Sequence, residues 1–355
     1  MNDNSIGLCL SGGGYRAMLF HTGALWRLNE LGFLPRLDYV SSVSGGSITA
    51  GVLARAWPEL EFTEGVASNF GEAVVRPIRA LAGRTLDIPV VLRGLVKPWR
   101  SVGEELAKSY RRHLFGDLTV PELADDGPRF VFTATNLQDG ELWWFFRRAG
   151  NQPPPEDALA PAIPLATAVA ASSAFPPFLS PVVVPTGQPD AETGRPGKAV
   201  LSDAGVYDNL GLDPVVGRCG TVLVSDAGKR MPYRRRIHRN WAQLFTRVVS
   251  VMDRQVRHLR TGSLIKSYVD GEFGGAYWSS YSDIDNFDLT DTLPAPRADT
   301  RKLAESPTRL SRTPDALQQR LINWGYAICD AGIRRWVDPE AKAPEDFPYP
   351  AAGIA

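Results

Sequence analysis

The chain is predicted to be an α/β protein built on a mostly parallel sheet, and three observations carry that expectation. The first 57 residues alternate strand, helix, strand, helix. Two glycine-and-serine turns, Ser11-Gly12-Gly13-Gly14 and Ser42-Val43-Ser44-Gly45-Gly46, each stand where a strand gives way to a helix. A further apolar strand-like run, Thr221 to Ser225, follows much later. Two strands separated by a single helix imply a right-handed crossover between parallel neighbours.

Each element follows from local chemistry. Ile6 to Leu10 is a short apolar run that ends in the triple glycine. Ala17 to Leu31 has helical spacing, with Met18, Leu25, Trp26 and Leu28 apolar and Gly32 as its stop. Tyr39 to Val43 is the second strand, and Ser47 to Trp57 is a small-residue helix halted by Pro58. Residues 61 to 125 interleave Ile78, Leu81, Ile88, Leu92 and Trp99 with Arg76, Arg79, Arg84, Arg93, Lys97 and Arg100. Pro77, Pro89 and Pro98 forbid one continuous helix there. The segment is therefore expected to be a helical insertion with solvated cations, or a lid that meets lipid.

Phe130 to Asn136 and Glu141 to Arg147 flank Asp139-Gly140, a hairpin signature. Ile163 to Ala174 is a small-residue helix ended by Phe175-Pro176-Pro177, and Val182 to Val184 and Ala199 to Ser202 are further strands. Trp241 to Ser267 and Thr313 to Val337 are long helices, the second with Thr313 as N-cap and Pro314 at its first position. Residues 1 to 337 are expected to form a single domain, and the Pro- and Ala-rich residues 338 to 355 a loose tail.

Bulk composition narrows the function. The 355 residues are 44% hydrophobic, and 39 basic residues balance 39 acidic ones. No overall basic excess exists to neutralise phosphates, so nucleic acid is not expected as a partner. Neither a secretory signal nor an apolar run long enough to span a bilayer is evident, so a cytoplasmic protein is expected. Cys9, Cys219 and Cys329 are few and scattered, and they suit buried thiols better than disulfides or a metal site.

The chemistry concentrates in three places. Ser44 lies between strand and helix with Gly46 two residues on, the logic of a nucleophile elbow, although Ser42 stands at the usual leading glycine. Ser42 or Ser47 as nucleophile would put Val40 or Thr49, both β-branched, into the tight turn. Gly12, Gly13 and Gly14 let the backbone present N–H groups to an anion, either the oxyanion of acyl transfer or a phosphate. A Walker loop is absent, because no Lys-Ser/Thr follows. Asp203, in Ser202-Asp203-Ala204-Gly205, ends a strand and is either a turn cap or the partner of a serine. Of the histidines His21, His113, His238 and His258, only the last two follow the acid. One lies in a dense basic run and the other within a helix, so a base other than histidine is favoured.

In order and spacing, these elements resemble the patatin-like phospholipase family over about residues 6 to 226. Thr135-Asn136 with Asp139-Gly140, and the Ala171-to-Pro177 segment, are lesser similarities. The resemblance implies a three-layer α/β/α fold, a Ser44–Asp203 dyad without histidine, and no metal or other cofactor. It implies oxyanion donors from Gly12, Gly13 and Gly14, with Arg16 fixing that loop and helping to bind substrate. The departures are Ser42 for glycine and Ala204 where a second glycine is frequent; both touch efficiency more than mechanism. The substrate implied is a phospholipid, lysophospholipid or acylglycerol ester, met at a membrane surface that the 76-to-100 segment and the Arg234-to-Arg239 run are expected to approach. A ligand-regulated or silent lipid-binding protein on the same scaffold is the alternative.

Overall fold

The computed structural model describes residues 2–86, 102–147, 162–176, 179–189, 194–231, 233, 235–237 and 240–355. The predicted apolar and basic residues between 88 and 100, and Arg234, His238 and Arg239, lie outside the described residues. The expected crossover is present. Strand β1 (Asn2–Leu10), helix α1 (Gly14–Glu30), strand β2 (Leu37–Ser42) and helix α2 (Gly45–Ala56) follow in order, and β1 pairs with β2 in parallel. Helix α1 stops where Gly32 adopts φ 68°, and the N–H groups of Gly32 and Phe33 donate to the carbonyls of Asn29 and Leu28. A β-carbon would resist that left-handed turn, which satisfies carbonyls the helix would otherwise leave open.

Residues 61–125 add a two-residue ribbon (Phe62–Thr63 with Val66–Ala67) and helices α3 (Arg76–Ala82) and α4 (Val102–Tyr110). Phe70, Val74, Ile78, Leu81, Leu106 and Tyr110 are buried in the main core. This described portion packs into the body of the protein, and it does not line the cleft treated below. Strand β3 (Arg129–Asn136) returns as the antiparallel β4 (Leu142–Phe146) through the Asp139-Gly140 turn. Helix α5 (Leu165–Ser173), strands β5 (Val182–Pro189), β6 (Pro196–Asp203) and β7 (Cys219–Asp226), helix α6 (Trp241–Val269) and strand β8 (Gly274–Ser279) follow. The chain closes with α7 (Arg297–Ala304) and α8 (Asp315–Trp336).

The eight-stranded sheet runs β8-β7-β1-β2-β3-β6-β5, with β4 also on β3. Strands β8, β7, β1, β2 and β3 are mutually parallel; β4, β6 and β5 join antiparallel. The large core packs α1, α2, α5 and α8 on one face. On the other, Cys9, Leu210, Val215, Cys219, Val222 and Val224 meet Leu264 and Phe273. This is the mixed, mostly parallel α/β/α fold that was expected. Among the described residues, no helix is long and apolar enough to cross a membrane, and no group of three or more His, Cys, Asp or Glu is placed to hold a metal.

Two terminal expectations are corrected. Helix α8 starts at Asp315 with Pro314 as its cap position, while the Thr313 hydroxyl donates to the Ser311 carbonyl instead of capping the helix. Residues 338–355 are not a loose tail. Phe347 and Ile354 are buried, and the Asn323 amide donates to the carbonyls of Tyr349 and Gly353 at 2.9 and 2.8 Å while accepting from Tyr349 N–H at 3.0 Å. Asn323→Ala is expected to cost about 1–2 kcal/mol, because it leaves half-buried backbone groups without their partners. Urea denaturation reads this, and an unchanged midpoint would show that the clasp contributes nothing.

Candidate active site

Ser44 sits at the β2–α2 junction with φ 52° and ψ −117°, a conformation that a non-glycine residue adopts only under constraint. The constraint comes from its surroundings. Its N–H donates to Ser172 Oγ at 3.0 Å, and Ser172 Oγ pairs with Ser47 Oγ at 2.7 Å. A β-carbon on Gly45 would lie 2.2 Å from the Gly14 carbonyl, and one on Gly46 2.3 Å from the Leu10 carbonyl. The two glycine turns therefore press backbone to backbone. Ser42 fits in place of the leading glycine because its hydroxyl donates to the Val131 carbonyl at 3.2 Å and accepts from Ser47 Oγ at 3.0 Å.

Asp203 ends β6 and is 1% exposed. Its backbone is fixed on both sides: N–H to the Ala174 carbonyl at 3.1 Å, and carbonyl from Thr135 Oγ1 at 3.0 Å. Oδ1 accepts the Gly205 N–H at 2.7 Å, whereas Oδ2 is buried without a hydrogen-bond partner of normal geometry. Burial pushes this carboxyl up to about 7; the nearby Ser44 hydroxyl and the Gly205 N–H offset part of that rise, and Asp253 adds to it.

Ser44, Asp203 and the Gly12-Gly13-Gly14 turn line one cavity of about 740 Å³. Gly12 is corrected as an anion donor, because its N–H already donates to the Asn209 carbonyl at 3.1 Å. Gly13 is the cap position of α1 and Gly14 its first residue, so neither N–H has an acceptor within the helix, and none is found elsewhere among the described residues. Arg16 is corrected as a substrate contact. It is 2% exposed, does not line the cleft, and donates to the carbonyls of Ala227 and Ala304, which pins the glycine turn to β7 and α7.

No histidine lines this cleft among the described residues. His21 is buried; its Nε2–H donates to the Ser11 carbonyl at 2.9 Å, and its Nδ1 accepts from Ser225 Oγ at 2.8 Å. Burial lowers it to about 4, so it is a neutral packing residue. His258 lies in an adjoining cavity of about 710 Å³ that shares Phe175, Lys229, Asp253, Arg257 and Thr308 with the cleft.

The remaining walls were not legible in advance. Asp253 and Arg257 come from α6, and Thr308, Arg309 and Leu310 from the segment before α8. Arg257 Nη2 lies 3.0 Å from both carboxylate oxygens of Asp226, which also accepts from Tyr277 at 2.8 Å. Burial raises Asp226, but Arg257, the Gly228 N–H and Tyr277 outweigh it and hold the group ionised. The bond latches α6 to the end of β7.

Fold and site together define an α/β/α protein with a strained serine where β2 gives way to α2. The chain belongs to the patatin-like phospholipase family, whose family model matches residues 8–216. Human GIVD cytosolic phospholipase A2 has a similar fold, with a TM-score of 0.52 and 12% identity over 92% of this chain. The same human enzyme with a methyl γ-linolenyl fluorophosphonate inhibitor and terbium chloride gives 0.50 and 14% over 93%. Saccharomyces cerevisiae SPO1 is 48% identical over 42 residues, 12% of this chain. This chain spans 58% of the human chain and 7% of the yeast protein.

Proposed function

We propose that this chain hydrolyses carboxylic esters of phospholipids or lysophospholipids through an acyl-enzyme on Ser44, with Asp203 as general base. One observation carries the reading: a buried carboxylate with an unpartnered oxygen shares a cleft with a serine held on a strained turn. Ionised Asp203 takes the Ser44 proton as Oγ attacks the acyl carbonyl. The Gly13 and Gly14 N–H groups stabilise the oxyanion, and losing one such donor typically costs ~10²–10³ in rate. Protonated Asp203 then gives its proton to the departing alcohol oxygen. Water follows, losing a proton to the same carboxylate and adding its oxygen to the acyl carbon. Ser44 regains its proton as the fatty acid leaves.

The cleft suits such a substrate. Phe175, Leu179 and Leu310 offer apolar contact for an acyl chain, and Lys229, Arg230 and Arg254 in the adjoining cavity favour a phosphate-bearing head group. Such a lipid is met at a membrane surface. Fluorophosphonate labelling mapped by peptide mass tests the reading. Label is expected on Ser44, absent in Ser44→Ala, with fatty-acid release from lysophosphatidylcholine lost in the same variant. Label on another residue, or none under any lipid or detergent condition, overturns it.

A further inference from the structure

Helix α6 is amphipathic the wrong way round. Its inward side is polar: Arg257 pairs with Asp226, and Arg260 Nη1 bonds Asp213 Oδ1 at 2.6 Å, with Leu264 buried further along. Asp253 and Arg257 on that side line the catalytic cleft. Its outward side is apolar and exposed, with Trp241 at 80%, Phe245 at 65%, Met252 at 61% and Leu259 at 63%. At 100° per residue these four fall within about 40° of one another, and Leu244, Val248, Val251 and Val256 extend the stripe. The stripe runs about 27 Å along the helix. A helix folded only for water would turn this face inward.

Charge identifies what covers it. The whole chain is neutral, yet from Lys229 to Met252 it carries seven Lys or Arg residues and no Asp or Glu. Among the described ones, Arg235 and Arg236 are exposed just ahead of the helix, beside Tyr233 at 90% exposure. Exposed apolar side chains, ring side chains at one end and cations alongside are the composition of a helix that lies in a bilayer interface.

We propose that the outward face of α6 seats on an anionic lipid surface and thereby brings the mouth of the Ser44 cleft to the bilayer. This deepens the lipid-hydrolase reading and rests on it for the sense of the docking. The seat takes in part of the Arg234-to-Arg239 run expected from sequence and adds the apolar face of α6; it does not include the 76-to-100 segment.

The test uses the full chain and two vesicle types, phosphatidylcholine alone and phosphatidylcholine mixed with phosphatidylglycerol. Co-sedimentation is expected with the mixed vesicles and to weaken as salt rises. Phe245→Asp with Met252→Asp, and separately Arg235→Glu with Arg236→Glu, are each expected to weaken it at least about tenfold. Both variants keep wild-type hydrolysis of a soluble short-chain ester, which separates lost docking from lost catalysis. A failed soluble assay with intact vesicle binding would instead count against the catalytic reading alone. Brominated lipid is expected to quench wild-type tryptophan fluorescence more than that of Trp241→Phe, a readout that needs no charge on the helix. Equal quenching, or equal sedimentation of wild type and both variants, overturns the proposal. So does a dimer that the Phe245→Asp, Met252→Asp variant dissolves while wild type ignores vesicles.

Discussion

Asp203→Asn is expected to abolish turnover and, at pH 8, to raise thermal stability. An amide cannot accept the Ser44 proton, so the rate on a soluble ester should fall by at least ~10³, within the ~10²–10⁴ that general acid–base catalysis typically contributes. The stability gain follows from linkage. Burial moves this carboxyl from 3.8 to about 7, so the folded state holds a proton that the unfolded state has released over that range. Stability therefore falls as pH rises from about 4 to about 7 and stays lowered above it. A neutral side chain escapes that loss, with an upper bound of roughly 4 kcal/mol. The variant's advantage should shrink towards pH 4. With Asp203 as the proposed base, wild-type kcat/KM should rise with pH through about 7. Melting curves at pH 5 and pH 8 with rates across the range check both, and a variant less stable than wild type at pH 8 would refute the buried-charge account.

Gly45→Ala is expected to damage both fold and activity. The added carbon would stand 2.2 Å from the Gly14 carbonyl and 2.9 Å from the Gly14 nitrogen, and neither is a side chain that can rotate away. Relief requires the two turns to part, which is expected to cost about 2–4 kcal/mol. Parting them also moves the Gly13 and Gly14 amides away from Ser44, so the rate on a soluble ester should drop ~10²-fold or more. Gly71→Ala is the control: its β-carbon meets nothing within 4 Å, and it lies in a helical turn. Urea titration and initial rates distinguish the pair, and equal behaviour of the two variants would show the turns to be far more pliant than their packing implies.

The two glycine-and-serine turns that frame the proposed site were readable in the sequence because their determinants are local. A tight turn needs small residues at fixed offsets, so Ser44 rather than Ser42 or Ser47 was expected at the turn, and it is Ser44 that adopts φ 52°. What was missed depends on residues brought in from far along the chain. The Asn209 carbonyl that occupies the Gly12 N–H, and the Ala227 and Ala304 carbonyls that bury Arg16, are invisible to a motif. Asn323 docks a Pro- and Ala-rich terminus whose composition argues for looseness. The inverted α6 misleads in another way, since helical periodicity shows an apolar stripe without showing which side the body lies on.

Strand β6 runs against β3, pairing Ala134 with Asp203, Thr135 with Ser202 and Asn136 with Leu201. Because alternate residues of a strand face opposite ways, the two halves of this site tolerate sequence drift unequally. Point changes along β6 can leave the acid aimed at the serine. Loss or gain of a single residue inside the paired strand turns the Asp203 side chain to the far face of the sheet, so the proposed dyad constrains the length of β6 more tightly than its composition.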